Sequence, residues 1–155
     1  MANRANPREG EIYRAYLDAV GLHSIAAATA AGLQATEWYA LSQLALADGL
    51  TSGQLSERTG LTTGATTRLI DRLERAGYVR RAADAADRRK VIVKPVTEAL
   101  AGIAGLVAPA RRAIAEVLDR YTPEQRAVLF DYFEHAAPAF REATEQIRAE
   151  RVTPS

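Results

Sequence analysis

Cysteine is missing altogether from the 155 residues, tryptophan and methionine occur once each, and histidine twice. Without a thiol the chain has no disulfide framework, no thiolate metal site and no cysteine with which to sense oxidation. Long apolar runs are missing too. The longest stretch free of charged side chains, Ala19 to Thr36, is broken by His23, Ser24, Thr29 and Gln34. The N-terminal segment carries Arg4, Arg8, Glu9, Glu11 and Arg14 where a secretory signal would be apolar, so a soluble, cytoplasmic protein is expected. Catalytic signatures are also lacking: there is no nucleophile elbow, no phosphate-cradling glycine loop and no His-Glu-x-x-His. No enzymatic activity, metal or cofactor is expected.

What the chain does hold is charge distributed unevenly. Its formal net charge is +1, yet Arg68 to Lys94 contains nine bases against four acids, a local excess of five, while everything else sums to −4. A basic block inside an otherwise acidic chain is what a phosphate-facing surface produces; a surface that is only solvated mixes the signs.

Hydrophobic periodicity divides the chain into helices and one hairpin. A long helix runs from about Pro7 to Ala31, carrying Ile12, Tyr16, Ala19, Val20, His23 and Ala27 at three- and four-residue steps and ending near Gly32. Thr36 is placed to cap a second helix that Asp48-Gly49 breaks. Thr51 with Gln54 opens a short third helix closed by Gly60, and a fourth spans Ala65 to Ala76 with Gly77 beyond its end. Tyr78-Val79-Arg80-Arg81 and Val91-Ile92-Val93-Lys94 are β-prone runs around a polar tip, which predicts a two-stranded hairpin stopped by Pro95. Thr97 is placed to cap a fifth helix reaching about Tyr121, with Pro109 expected to kink it. Thr122-Pro123-Glu124-Gln125 opens the last helix in capping-box order, Pro138 is expected to bend it, and Val152 to Ser155 to fray.

The third and fourth helices with their glycine-containing turn have the order of a helix-turn-helix, whose second helix enters the DNA major groove. Thr62, Thr63, Thr66, Thr67 and Arg68 are the candidate contacts near its start, hydroxyls for phosphates or base edges and an arginine for guanine, with Arg72 one turn on. Gly64 leaves room for close backbone approach. A basic hairpin directly after such a helix forms a wing, and Arg88 and Arg89 at its tip, Asp84-Ala85-Ala86-Asp87-Arg88-Arg89, suit a narrow minor groove. The fold class that follows is mainly α with a small β-hairpin wing, a winged helix-turn-helix binding double-stranded DNA. A winged-helix module for protein interaction and a metal-responsive regulator using His and carboxylate ligands are the alternatives.

The runs Leu50-Thr51-Ser52-Gly53-Gln54-Leu55-Ser56, Thr63 to Glu74, Gly77-Tyr78-Val79-Arg80-Arg81 and Asp84-x-x-Asp87-Arg88-Arg89 closely resemble the core of the multiple-antibiotic-resistance regulator (MarR) family. The resemblance is specific over Leu50 to Thr97 and architectural outside it; Val96-Thr97 stands where the family often has Leu-Thr. It implies one domain over residues 1–155, with a winged core at about 36–96 and dimerisation helices at about 7–31 and 97–151. It implies that Arg68 reaches the major groove, that Thr62 and Thr63 are N-terminal contacts, and that Arg88 and Arg89 are wing arginines. Asp71 and Asp87 would brace the wing, Asp71 by pairing with Arg89. The implied protein is a ligand-responsive repressor acting as a homodimer on a pseudo-palindromic operator. Val128, Leu129, Tyr132, Phe133 and Phe140 offer apolar surface for such a dimer. A small aromatic ligand would sit near Tyr16, His23, Trp38 and Tyr39.

Overall fold

The Asn6 side chain accepts from the Arg8 N–H at 3.1 Å, and Pro7 supplies a first-turn φ; together they start helix α1, Pro7–Ala30. The computed structural model describes residues 6–84 and 87–150; Ala85 and Ala86 of the wing tip, and the end from Val152 to Ser155, lie outside them. After α1 come α2 (Ala35–Leu46), α3 (Ser52–Thr59), α4 (Thr63–Arg75), the hairpin β1 (Val79–Ala83) and β2 (Val91–Pro95), α5 (Thr97–Leu118) and α6 (Pro123–Glu150). The chain divides into two compact units, residues 1–107 and 108–155.

Most of the expected boundaries hold, including the Thr51/Gln54 and Thr122/Gln125 reciprocal caps. Two caps differ. Helix α2 starts from Gln34, because Glu37 at its third position accepts the Gln34 N–H at 2.9 Å, and Thr36 lies inside the helix. Helix α5 starts from Val96, whose carbonyl accepts from the Leu100 N–H at 3.0 Å, leaving Thr97 as the first helical residue. Pro109 and Pro138 both lie within continuous helices.

In the first unit, Leu41 and Leu44 of α2, Leu55 of α3, Leu69, Ile70 and Leu73 of α4, and Val79 and Val93 of the hairpin form one apolar core. Leu100 and Ile103 of α5 pack against it. The hairpin is antiparallel with Val79 opposite Pro95 and Arg81 opposite Val93. Its second strand is gripped from the other side by Leu50, which exchanges both backbone hydrogen bonds with Val93 at 3.0 and 2.8 Å. The wing is therefore sewn to the turn between α2 and α3 as well as to its own partner strand.

Gly49 makes that stitch sterically possible. Its φ is +115°, and a Cβ there would lie 2.9 Å from the Lys94 side chain and 3.2 Å from the Val93 carbonyl oxygen. Gly49→Ala is expected to lower unfolding stability by about 1–2 kcal/mol, because strain and a backbone clash add. Urea titration followed by circular dichroism measures this, and an unchanged midpoint would contradict the account.

The second unit is built differently, since neither its part of α5 nor α6 contains a buried residue. Val128 is 72 % exposed, and Phe130, Tyr132, Phe133 and Phe140 are exposed as well. Phe133 makes edge-on contacts with both Phe130 and Tyr132, at 6.0 and 5.8 Å between ring centres. Tyr121, Gln125, Val128, Leu129 and Tyr132 line an open, mostly apolar depression of about 420 Å³. Among the described residues no helix is long and apolar enough to cross a membrane.

Candidate nucleic-acid interface

Helix α4 is anchored by Leu69, Ile70 and Leu73, which turn one side of it into the core and leave the other to solvent. Thr62 caps its start, its hydroxyl accepting from the Ala65 N–H at 3.3 Å. Thr63, Gly64, Thr67 and Arg68 are exposed along the free side. The Thr67 hydroxyl donates to the Thr63 carbonyl at 3.0 Å, which fixes its rotamer. No hydrogen bond or ion pair among the described residues engages the Arg68 side chain.

One candidate from the sequence is corrected here, and a second has a partner that the sequence did not reveal. Thr66 is fully buried, with its hydroxyl donating to the Thr62 carbonyl at 3.0 Å, so it cannot touch DNA. It lies three and four residues before Leu69 and Ile70, on the apolar side of the same helix. Arg72 is 46 % exposed in its side chain but gives its Nε to a buried acid. Its Nε donates to Glu37 Oε1 at 2.6 Å, and the Glu37 side chain is only 8 % exposed. A buried carboxylate needs a cation and hydrogen bonds, and Arg72 is where the fold supplies them. Burial pushes the Glu37 carboxyl up, but the Arg72 hydrogen bond, the Gln34 N–H and the Arg72 charge outweigh it and hold its pKa below the ordinary value.

The wing is fastened to α4 by a residue that the sequence reading passed over. Arg81 donates from Nη2 to Asp71 Oδ1 at 2.6 Å and from Nη1 to Glu74 Oε2, and its backbone N–H donates to Glu74 Oε1 at 3.2 Å. These acids, the Asp71 hydrogen bond above all, raise the Arg81 pKa. The expected pairing of Asp71 with Arg89 is therefore replaced by one with Arg81. Strand alternation explains the change: Val79 points into the core, so Arg81 two residues on shares its side and faces α4. The signal was present in that alternation together with acids three residues apart on one helix side.

At the tip, Arg89 reaches only Asp87 among the described residues, at 3.3 Å, and its side chain is 93 % exposed. Asp87 also accepts the Arg89 backbone N–H, and the Asp87 N–H donates to Asp84, so the acids shape the turn while Arg88 and Arg89 extend outward. Lys94 pairs with Asp48 at 3.3 Å, a second tie between β2 and the α2–α3 turn.

The candidate ligand residues are less coherent. Trp38 packs against the core, whereas Tyr16, His23 and Tyr39 are exposed. No hydrogen bond or ring contact among the described residues joins the four. No group of three or more His, Asp or Glu among those residues could hold a metal ion.

Comparison with known proteins agrees with this arrangement. Residues 31–90 match the sequence model of the MarR family. The HTH-type transcriptional regulator YcgE of Bacillus subtilis is 37 % identical over 123 residues, covering 79 % of this chain and 80 % of that one. A MarR family protein from Bacillus stearothermophilus superposes with a TM-score of 0.64 at 23 % identity, over 94 % of this chain and 99 % of that one. A point mutant of MepR from S. aureus, solved bound to an oligodeoxyribonucleotide, superposes with a TM-score of 0.58 at 13 % identity, over 85 % and 97 % of the two chains. The chain belongs to the MarR family of transcriptional regulators and has its winged-helix DNA-binding fold.

Proposed function

We propose that the protein is a homodimeric, ligand-responsive repressor that binds a pseudo-palindromic stretch of double-stranded DNA. The observation that carries this is the free side of α4, where Thr63, Gly64, Thr67 and an unengaged Arg68 lie exposed beside a wing whose Arg88 and Arg89 reach outward. The α4 side would enter the major groove, with Thr62 at its mouth, and the wing arginines would follow the adjacent minor groove. A two-fold dimer presents two such helices, so half-sites about 10 base pairs apart are expected. The unburied apolar sides of α6 in the second unit support dimerisation, because surface of that kind is seldom left to solvent. No catalysis is assigned to it.

The test is binding to duplexes selected from a random-sequence library, followed by Arg68→Ala. An arginine bidentate to guanine is worth about 1–3 kcal/mol of discrimination, so Arg68→Ala should lose that much on the selected duplex and far less on a scrambled one. Failure to select any sequence, or equal binding by the variant, would sink the DNA reading and leave a protein-interaction module as the better one. For the effector, Trp38 is the only tryptophan and lies on α2 next to Tyr39. Aromatic carboxylates or phenols that release DNA should also change its fluorescence; a panel that changes neither removes the ligand-responsive part of the proposal.

A further inference from the structure

At 3.6 residues per turn, successive residues of α4 lie about 100° apart around its axis. Thr66, Leu69, Ile70 and Leu73 mark the buried side, and Gly64 falls about 170° from their centre, the outermost point of the first turn. Thr67 stands about 60° to one side of it and Arg68 about 40° to the other. The line along which this helix would press deepest into a groove thus begins with a residue that has no side chain.

Nothing among the described residues asks for that glycine. A Cβ built at residue 64 meets no atom within 4 Å, and the backbone there is ordinary right-handed helix, unlike Gly49 or Gly60. Glycine is the poorest helix former after proline, so the fold would tolerate alanine at least as well. Gly10, Gly21, Gly102 and Gly105 are equally unhindered. What sets Gly64 apart is its place at the crest of α4, between the exposed Thr67 and Arg68.

We infer that Gly64 is a specificity-determining residue, whose missing side chain lets the α4 backbone come within van der Waals contact of base edges in the major groove. The inference rests on α4 being the recognition helix, as proposed above. With a methyl group at 64 the helix would stand off by the thickness of that group, and the hydrogen bonds of Thr63, Thr67 and Arg68 to the bases would lengthen together. Because those bonds weaken steeply with distance, a small displacement removes discrimination while phosphate attraction persists.

The experiment compares the full chain with Gly64→Ala, Gly64→Ser and Arg68→Ala on two duplexes, one selected by the parent protein from a random library and one scrambled. Gly64→Ala and Gly64→Ser should bind the selected duplex about tenfold more weakly, bind the scrambled duplex within about twofold of the parent, and unfold at a temperature no lower than the parent's. Parent-like affinity of both glycine variants for the selected duplex, while Arg68→Ala loses affinity, would overturn this inference and leave the recognition-helix reading standing. Parent-like affinity of all three would overturn both. A lowered unfolding temperature, or equal losses on both duplexes, would assign the glycine to the fold or to general affinity and overturn its role in specificity.

Discussion

Arg72→Ala is expected to destabilise the first unit by about 3 kcal/mol. Removing one partner of a buried ion pair strands the other, and the usual loss is about 3–5 kcal/mol. The lower end applies because the Arg72 side chain is itself 46 % exposed, while that of Glu37 is only 8 %. Without Arg72 the Glu37 carboxylate keeps, among the described residues, just the Gln34 N–H, at 2.9 Å. The pH dependence should reverse with the substitution. In the parent, Glu37 is held below the ordinary carboxylate value, so its contribution is complete above the unfolded pKa of about 4.3 and is lost as pH falls through the lower folded value. In Arg72→Ala, burial is left to dominate and raises the folded pKa above the unfolded one. The variant's deficit should then be full at pH 7 and shrink at pH 4, where a neutral carboxyl is tolerated. Urea denaturation at both pH values and fixed protein concentration measures it; a deficit that is equal at pH 4 and pH 7 would refute the assignment to an uncompensated charge. DNA binding by the folded fraction of Arg72→Ala should be much closer to parental than that of Arg68→Ala, since Arg72 faces Glu37.

The elements were legible because each is delimited by local chemistry: Thr51/Gln54 and Thr122/Gln125 cap reciprocally, and Gly60 and Gly77 sit at positive φ just past α3 and α4. The roles within α4 were only half legible. Hydroxyls and arginines crowd its first two turns, and composition alone assigns them all outward. The helical period separates them, placing Thr66 with Leu69 and Ile70, but Arg72 could not be placed without knowing that Glu37, thirty-five residues earlier, lies buried beside it. A buried acid at the start of α2 looks in sequence like an ordinary first-turn glutamate. Arg81 was hidden for a related reason. Its partners Asp71 and Glu74 belong to another element, and the family resemblance had already suggested a different cation, Arg89, for Asp71.

Replacing Arg88 and Arg89 together by Ala should weaken binding by about 3 kcal/mol on selected and scrambled DNA alike, two charged contacts at roughly 1.5 kcal/mol each. The minor groove carries little base code, so the loss should not discriminate between the duplexes. The slope of log affinity against log salt should fall by about 2, near 0.9 per phosphate contact. These arginines can act only if the hairpin carrying them is held at a fixed reach from α4, and the Arg81 pairing with Asp71 and Glu74 is the tie that spans the two. Exposed ion pairs contribute little to global stability, so their removal should barely shift unfolding. The informative variant is Asp71→Asn with Glu74→Gln, in which both carboxylates become neutral amides. Plain electrostatics predicts tighter binding, because two negative charges leave the vicinity of the phosphates. Positioning predicts the opposite: weaker binding, and no further loss when the same changes are added to the Arg88→Ala, Arg89→Ala protein, whose wing no longer contributes. Titrations of the four proteins at two salt concentrations close this double-mutant cycle. Tighter binding by the amide variant, or losses that simply add, would mean that Arg81 does not position the wing and that Arg88 and Arg89 reach DNA without it.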